Sequence, residues 1–300
     1  MTIDLSNRVA IVTGAGGGLG REHAFLLAKR GAKVVVNELS EEGAERVVEE
    51  IRAAGGDAVA APASVTEFAQ VEDMVRATLG RWGRIDILVN NAGILRDKTF
   101  TKMDLSDFRL VMDVHVMGAV HCTKAVWEHM RERNYGRIVL TTSSSGLYGS
   151  FGQANYGAAK MALVGLMQTL ALEGARNGIR VNCIAPTAAT AMTENILSPE
   201  MLALLAPGMV SPGVLALVGE DAPTRTILCA GAGGFEQAHV TLTRGIFVGA
   251  ADDAAEQIAS RWSEIGNETG GSIPEMGRAQ PELELAKAQN SRARQEQEHA

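Results

Sequence analysis

Tyr156 and Lys160 stand four residues apart in the small-residue run that follows Asn155. On a helix that spacing puts both side chains on one face. An ammonium beside a phenol favours the phenolate, lowering the pKa until a tyrosine can take a proton near neutral pH. Ser143, Ser144 and Ser145 close the run Arg137 to Thr142 ahead of that pair. Each hydroxyl could hold a substrate oxygen by a hydrogen bond, and residue type alone does not choose among them. Such a cluster can do acid–base chemistry at that oxygen.

A second cluster, Thr13-Gly14-Ala15-Gly16-Gly17-Gly18-Leu19-Gly20, lies between a β-branched run and a helical pattern. Gly14, Gly16, Gly18 and Gly20 let the backbone turn sharply and approach a pyrophosphate. The helix opening beside Leu19 offers free N–H groups and partial positive charge, so a dinucleotide is the ligand expected. Glu38 follows the next strand and can accept two hydrogen bonds from an adenosine ribose; it would repel a 2′-phosphate, which favours NAD over NADP. No Arg or Lys stands between Asn37 and Glu45, where a phosphate-binding site would often place one. Asn90, Asn91, Ala92 and Gly93 end another buried run, at a strand terminus where open α/β sheets bind ligands.

These side chains need a scaffold, and the pattern supplies it. Apolar runs at Val9–Thr13, Lys33–Asn37, Val59–Ala61, Ile85–Val89, Arg137–Thr142 and Ile179–Ile184 read as strands. Between them lie helical patterns at Arg21–Arg30, Glu41–Ala53, Glu67–Leu79, Asp104–Arg131 and Tyr156–Arg176. Alternation of this kind calls for right-handed crossovers and a doubly wound parallel sheet with helices on both faces. Thr226–Ala230 reads as a last strand with Ile246–Val248 as its short partner, and Asp252–Ile265 as one helix. A dinucleotide-binding domain is expected over residues 1–250, with a small helical lid at about 187–223. Residues 251–300 are expected to form a helix and then a polar tail that frays. Met192, Ile196, Leu197, Met201, Leu202, Leu204 and Leu205 could wall an apolar substrate within that lid.

The chain of 300 residues is 46% hydrophobic and 21% charged, which excludes disordered and fibrous classes. Lys and Arg total 28 against 35 Asp and Glu, a net charge of −7. Nucleic acid is therefore not an expected partner. Cys122, Cys183 and Cys229 stand far apart without a CxxC pair, so three free thiols, no metal site and a cytoplasmic location are expected. Asp4, Asn7 and Arg8 interrupt the start, and no apolar run is expected to reach the roughly 18 residues of a bilayer span, so no membrane partner is expected.

TGAGGGLG, NNAG, Ser143 thirteen residues before Tyr156, YGAAK and Ile184-Ala185-Pro186 stand in the order and spacing of the short-chain dehydrogenase/reductase family. The chain resembles that family from about Asn7 to Val248. VVVNE, NNAGILRDKTF and IAPTAATAMT bring it near the branch of (3R)-3-hydroxyacyl-CoA dehydrogenases, some of which also act on 17β-hydroxysteroids. The resemblance implies a Rossmann-type fold and NAD as cofactor. It also implies a small-molecule substrate, an acyl-CoA thioester or a steroid, and a homodimer or homotetramer paired through the long helices. It selects Ser143 from the three serines, makes Tyr156 the acid–base and has Lys160 grip the nicotinamide ribose. Cofactor contacts are implied at Gly14, Gly16, Gly18, Leu19, Gly20, Glu38, Ser64, Val65, Asn91, Ala92, Gly93, Tyr156, Lys160, Pro186 and Thr190.

Three positions depart from the family pattern. His115 stands where many members have Asn, and a neutral imidazole can hold the water of a proton relay ending at Lys160. Ser64 replaces an Asp near the adenine, and Thr187 replaces a Gly after Pro186. Two other functions fit the same motifs: a 3-oxoacyl-thioester reductase of fatty-acid synthesis, which would prefer NADPH, and a non-catalytic dinucleotide-binding sensor. The latter would not need Ser143, Tyr156 and Lys160 together.

Overall fold

The computed structural model describes residues 2–189 and 198–298. Seven strands run parallel: β1 (Val9–Thr13), β2 (Lys33–Glu38), β3 (Asp57–Pro62), β4 (Ile87–Asn90), β5 (Gly136–Thr141), β6 (Ile179–Thr187) and β7 (Ile227–Gly231). An eighth, β8 (Gly234–Ala238), returns antiparallel to β7, and the sheet order is β3-β2-β1-β4-β5-β6-β7-β8. Helices α1 (Gly18–Lys29), α2 (Glu41–Ala53), α3 (Phe68–Trp82), α4 (Leu105–Met112), α5 (Gly118–Arg133), α6 (Ser144–Tyr148) and α7 (Ala154–Gly174) fill the crossovers. This is the doubly wound, Rossmann-type sheet expected from the alternation.

Strand side chains alternate between faces, and two cores result. Ala10, Val12, Val34 and Val36 pack under Leu27 of α1 and Val47 of α2. Ile11, Val35, Leu88 and Ile138 pack under Val71 of α3, Val126 of α5 and Leu163 of α7. The sheet order reverses between β1 and β4, and a crevice opens there at the carboxyl ends of the strands. At the opposite end, the buried guanidinium of Arg137 donates to the carbonyls of Gly136, Gly178, Gly219 and Glu220.

Several expectations are corrected. The helix expected over Asp104–Arg131 is α4 and α5 joined by a π-helical turn, Asp113–Met117. The partner of β7 is β8 rather than Ile246–Val248, because Ala232 (φ 50°) and Gly233 (φ 80°) make a two-residue left-handed hairpin turn. Thr187 belongs to β6, not to a lid. Beyond α8 (Pro199–Leu204), α9 (Ser211–Val218) buries Val214, Leu217 and Val218 in the core, so it does not belong to a lid either. Contrary to the expectation that no apolar run is that long, the stretch Pro199–Val218 is apolar and long enough to pass as a membrane span by composition; the fold divides it between α8, a 3-10 turn at Pro207–Met209 and α9.

The chain divides into two units, Met1–Ala238 and His239–Ala300, a boundary ahead of the expected 250. In the second unit the expected single helix is α10 (Ala254–Ser260) and α11 (Trp262–Ile265), broken where Arg261 leaves helical geometry at φ −121°. The polar tail expected to fray contains a helix, α12 (Ala279–Glu298). Thr190, Met192, Ile196 and Leu197 lie outside the described residues.

Candidate active site

A cleft of about 580 Å³ at the β1–β4 switch point collects most of the residues singled out by sequence. Gly14, Gly18, Leu19, Glu38, Ser64, Val65, Asn91, Ala92, Gly93, His115, Ser143, Tyr156, Lys160 and Pro186 all line it. Gly16 and Gly20 do not. The Gly16 N–H donates to Glu38 Oε2 at 3.2 Å, and Gly20 packs so tightly that a Cβ there would come 2.2 Å from the Gly14 carbonyl oxygen.

The glycine loop suits an anionic group. Gly14 sits at φ 62°, and a Cβ on it would come 2.8 Å from Ala92 Cα. Gly17 opens α1 without a side-chain cap, which leaves the first N–H groups of the helix free for phosphate oxygens. A Cβ at Gly17 or Gly18 would meet nothing within 4 Å, so this side of the loop is open. Those features fit the pyrophosphate of a dinucleotide.

Thr13, which sequence reasoning did not single out, organises the loop. Its Oγ1 accepts the N–H groups of Asn91 and Ala92, both at 3.0 Å, while Asn91 Nδ2 donates to the carbonyls of Thr13 and Gly14 at 3.0 and 3.1 Å. The Asn91 amide is thus spent on holding the loop. At the ribose corner, Glu38 accepts from Gly16 N–H and from Leu39 N–H at 2.8 Å. Arg46, the residue after Glu45, donates to the Gly16 carbonyl at 2.9 Å.

The three serines separate once folded. Ser144 is exposed, and Ser145 is tied to Ser150 at 2.9 Å and to Gln153 Oε1 at 2.7 Å. Ser143 caps α6 and faces Tyr156. Burial raises the phenol above its ordinary value, the Ser143 hydrogen bond pulls it back, and Asp97 pushes it up again. Lys160 Nζ donates to the Thr141 carbonyl at 2.6 Å and lies 5.3 Å from the Tyr156 ring centre. Burial drives the amine down to about 7. The sequence suggests an ammonium that depresses the phenol. In this geometry desolvation is the largest influence on both groups, and Lys160 Nζ is turned to a backbone carbonyl.

His115 lies in the π-helical turn, and such single turns recur at functional sites. Its ring meets Tyr156 edge-on at 5.3 Å and is pressed against Gly93, where a Cβ would come 2.3 Å from Cε1. Burial, then the charge of Lys160, push the imidazole down to about 3 against the hydrogen bond to Ile94, so the ring is neutral.

Known proteins share this arrangement of sequence and fold. The family model for short chain dehydrogenases matches residues 8–200. Peroxisomal multifunctional enzyme type 2 of Drosophila melanogaster is 55% identical over 199 residues, 63% of this chain and 33% of that protein. Its full-length solved structure superposes with a TM-score of 0.81 at 39% identity, covering 96% of this chain and 50% of the other. This chain therefore spans between a third and a half of that relative. A short-chain type dehydrogenase/reductase of Mycobacterium tuberculosis is 44% identical over 279 residues, 90% of this chain and 97% of its own. A 7α-hydroxysteroid dehydrogenase, solved with NADH and 7-oxo glycochenodeoxycholic acid, superposes with a TM-score of 0.72 at 30% identity over 77% of this chain and 95% of its own.

Proposed function

Because the chain belongs to the short-chain dehydrogenase family, and is thus an oxidoreductase, we propose that it interconverts a secondary alcohol and a ketone with NAD, and that its substrate is a (3R)-3-hydroxyacyl-CoA. The observation that carries this reading is the convergence of Ser143, Tyr156 and Lys160 in one cleft with the uncapped glycine loop. The oxidised nicotinamide, when bound, supplies the hydride acceptor.

The protein's own groups handle the oxygen and its proton. Ser143 holds the substrate hydroxyl by a hydrogen bond, and Tyr156 takes its proton as the carbonyl forms. Lys160 sits behind the phenol in the protein interior with a pKa near 7, suited to pass a proton on at neutral pH. His115, neutral and in edge contact with the phenol, serves the relay beyond it. Glu38 at the cleft rim supports NAD, since a carboxylate there repels a 2′-phosphate. That argues against an NADPH-linked 3-oxoacyl-thioester reductase. The likeness to a hydroxysteroid dehydrogenase supports steroids as a second substrate class.

Leu105, Leu110, Met117, Met161 and Leu172 are exposed on α4, α7 and the turn between α4 and α5, which supports pairing of copies through these helices as a homodimer or homotetramer. Initial rates with NAD and with NADP on (3R)- and (3S)-3-hydroxyacyl-CoA and on testosterone test the substrate reading. NAD-linked oxidation of the (3R) thioester is expected. Activity confined to the steroid would replace the substrate, and silence on all of them would overturn the proposal.

A further inference from the structure

His115 holds Ile94 through one nitrogen. Nε2 lies 3.0 Å from the Ile94 nitrogen and 2.8 Å from the Ile94 carbonyl oxygen. A single ring nitrogen accepts in one tautomer and donates in the other, so it makes one of these bonds at a time. A carboxamide in its place could make both at once; the imidazole instead keeps a second nitrogen, Nδ1, for another contact. Nδ1 is buried and meets no hydrogen-bond partner among the described residues.

Asn90, at the end of β4, has a matching orphan. Its side chain is 6% exposed, its Nδ2 donates to Thr123 Oγ1 of α5 at 3.2 Å, and its Oδ1 is buried without a partner among the described residues. Both residues border one small cavity of about 10 Å³, with Thr13, Gly118 and Lys160 also in its wall. A space of about that size accommodates one water when two or more polar groups turn to it, and buried polar groups rarely go unpaired.

We propose that this cavity is the site of a single buried water held between Asn90 Oδ1 and His115 Nδ1, which makes Asn90 a positioning residue for the His115 ring. Oδ1 only accepts, so the water donates one proton to it. At Nδ1 the same water accepts the ring N–H or donates its second proton, as the tautomer requires. Both tautomers are satisfied, and the proton can sit on either ring nitrogen without stranding Nδ1. The kinetic consequence rests on the reading of His115 as part of the proton relay; the water itself does not.

High-resolution crystal structures and steady-state kinetics of the full chain, wild type, Asn90→Leu and Thr123→Val, test the proposal. The wild-type map is expected to show one ordered water within hydrogen-bond distance of both atoms. Asn90→Leu removes it and lowers kcat about tenfold, with KM for NAD within twofold. Thr123→Val removes only the Nδ2 contact and is expected to keep both the water and kcat. Equal losses in the two variants would make Asn90 a mere tie between β4 and α5 and overturn its role. A wild-type map without that water overturns the site, and this holds whether or not Asn90→Leu folds. Should the wild type turn over no secondary alcohol, the proposed reaction fails while the map still decides the water.

Discussion

Replacing Lys160 by methionine is expected to stabilise the protein at pH 7 while ending turnover. The amine is buried and its pKa is lowered from 10.5 to about 7 by desolvation. At about 1.4 kcal/mol per tenfold change in proton affinity, the difference corresponds to an upper bound of about 5 kcal/mol against folding. Methionine removes that cost and keeps the packing, but it strands the Thr141 carbonyl, which now accepts from Nζ at 2.6 Å; losing that donor costs about 1–3 kcal/mol. A net gain of about 2 kcal/mol at pH 7 follows.

The sign also fixes a pH dependence. Between pH 7 and 10.5 the unfolded amine carries a proton that the folded one has lost. Wild-type stability therefore rises through this window and is lost again as pH falls towards 7. From pH 7 to 9 this group contributes about 2 kcal/mol of that rise, and the variant contributes none, so its advantage shrinks to near zero at pH 9. Urea unfolding of both proteins at pH 6, 7, 8 and 9 measures the difference. A variant less stable at pH 7, or an advantage constant from pH 7 to 9, would refute a desolvated Lys160.

Gly93→Ala would place a methyl group 2.3 Å from His115 Cε1; displacing the ring should lower kcat by about tenfold or more, and unchanged steady-state rates would remove His115 from the relay. Glu38→Ala should raise kcat/KM with NADP relative to NAD by about tenfold, the scale of one charge-assisted contact; an unchanged ratio assigns the ribose corner to another group, with Arg46 the nearest alternative. Arg137→Met removes the guanidinium from four carbonyl oxygens, of which that of Gly219 keeps the Ala222 N–H, and should cost about 3 kcal/mol or more in denaturant unfolding; a loss below about 1 kcal/mol would mean that solvent replaces the guanidinium.

The sheet was legible because strands buried on both faces write continuous apolar runs, and because each glycine cluster marks a strand end. The pairing of Tyr156 with Lys160 was legible for a similar reason, as a four-residue spacing survives in any helix. Three things left no such trace. The π turn around His115 adds one residue to a helical turn without changing the apolar pattern around it. β8 reads Gly-Phe-Glu-Gln-Ala, a strand defined by its hairpin with β7 rather than by its own composition. α12 is polar throughout most of its length, so composition pointed to a fraying tail where the chain is helical. The electrostatics of the site misled in another way. Sequence spacing gives proximity but not burial, and burial is what turns Lys160 from a fixed positive charge into a group that titrates near neutrality.

Tyr156→Phe tests the acid–base assignment most directly. The change removes one oxygen from a side chain in the cleft wall and leaves the glycine loop and Glu38 untouched. With NAD and a (3R)-3-hydroxyacyl-CoA, turnover should fall by about a thousandfold or more, while NADH binding followed by its fluorescence stays within about twofold of wild type, a difference of about 0.4 kcal/mol. A variant that keeps a tenth or more of the wild-type rate would show that another group takes the proton and would contradict the role given to Tyr156.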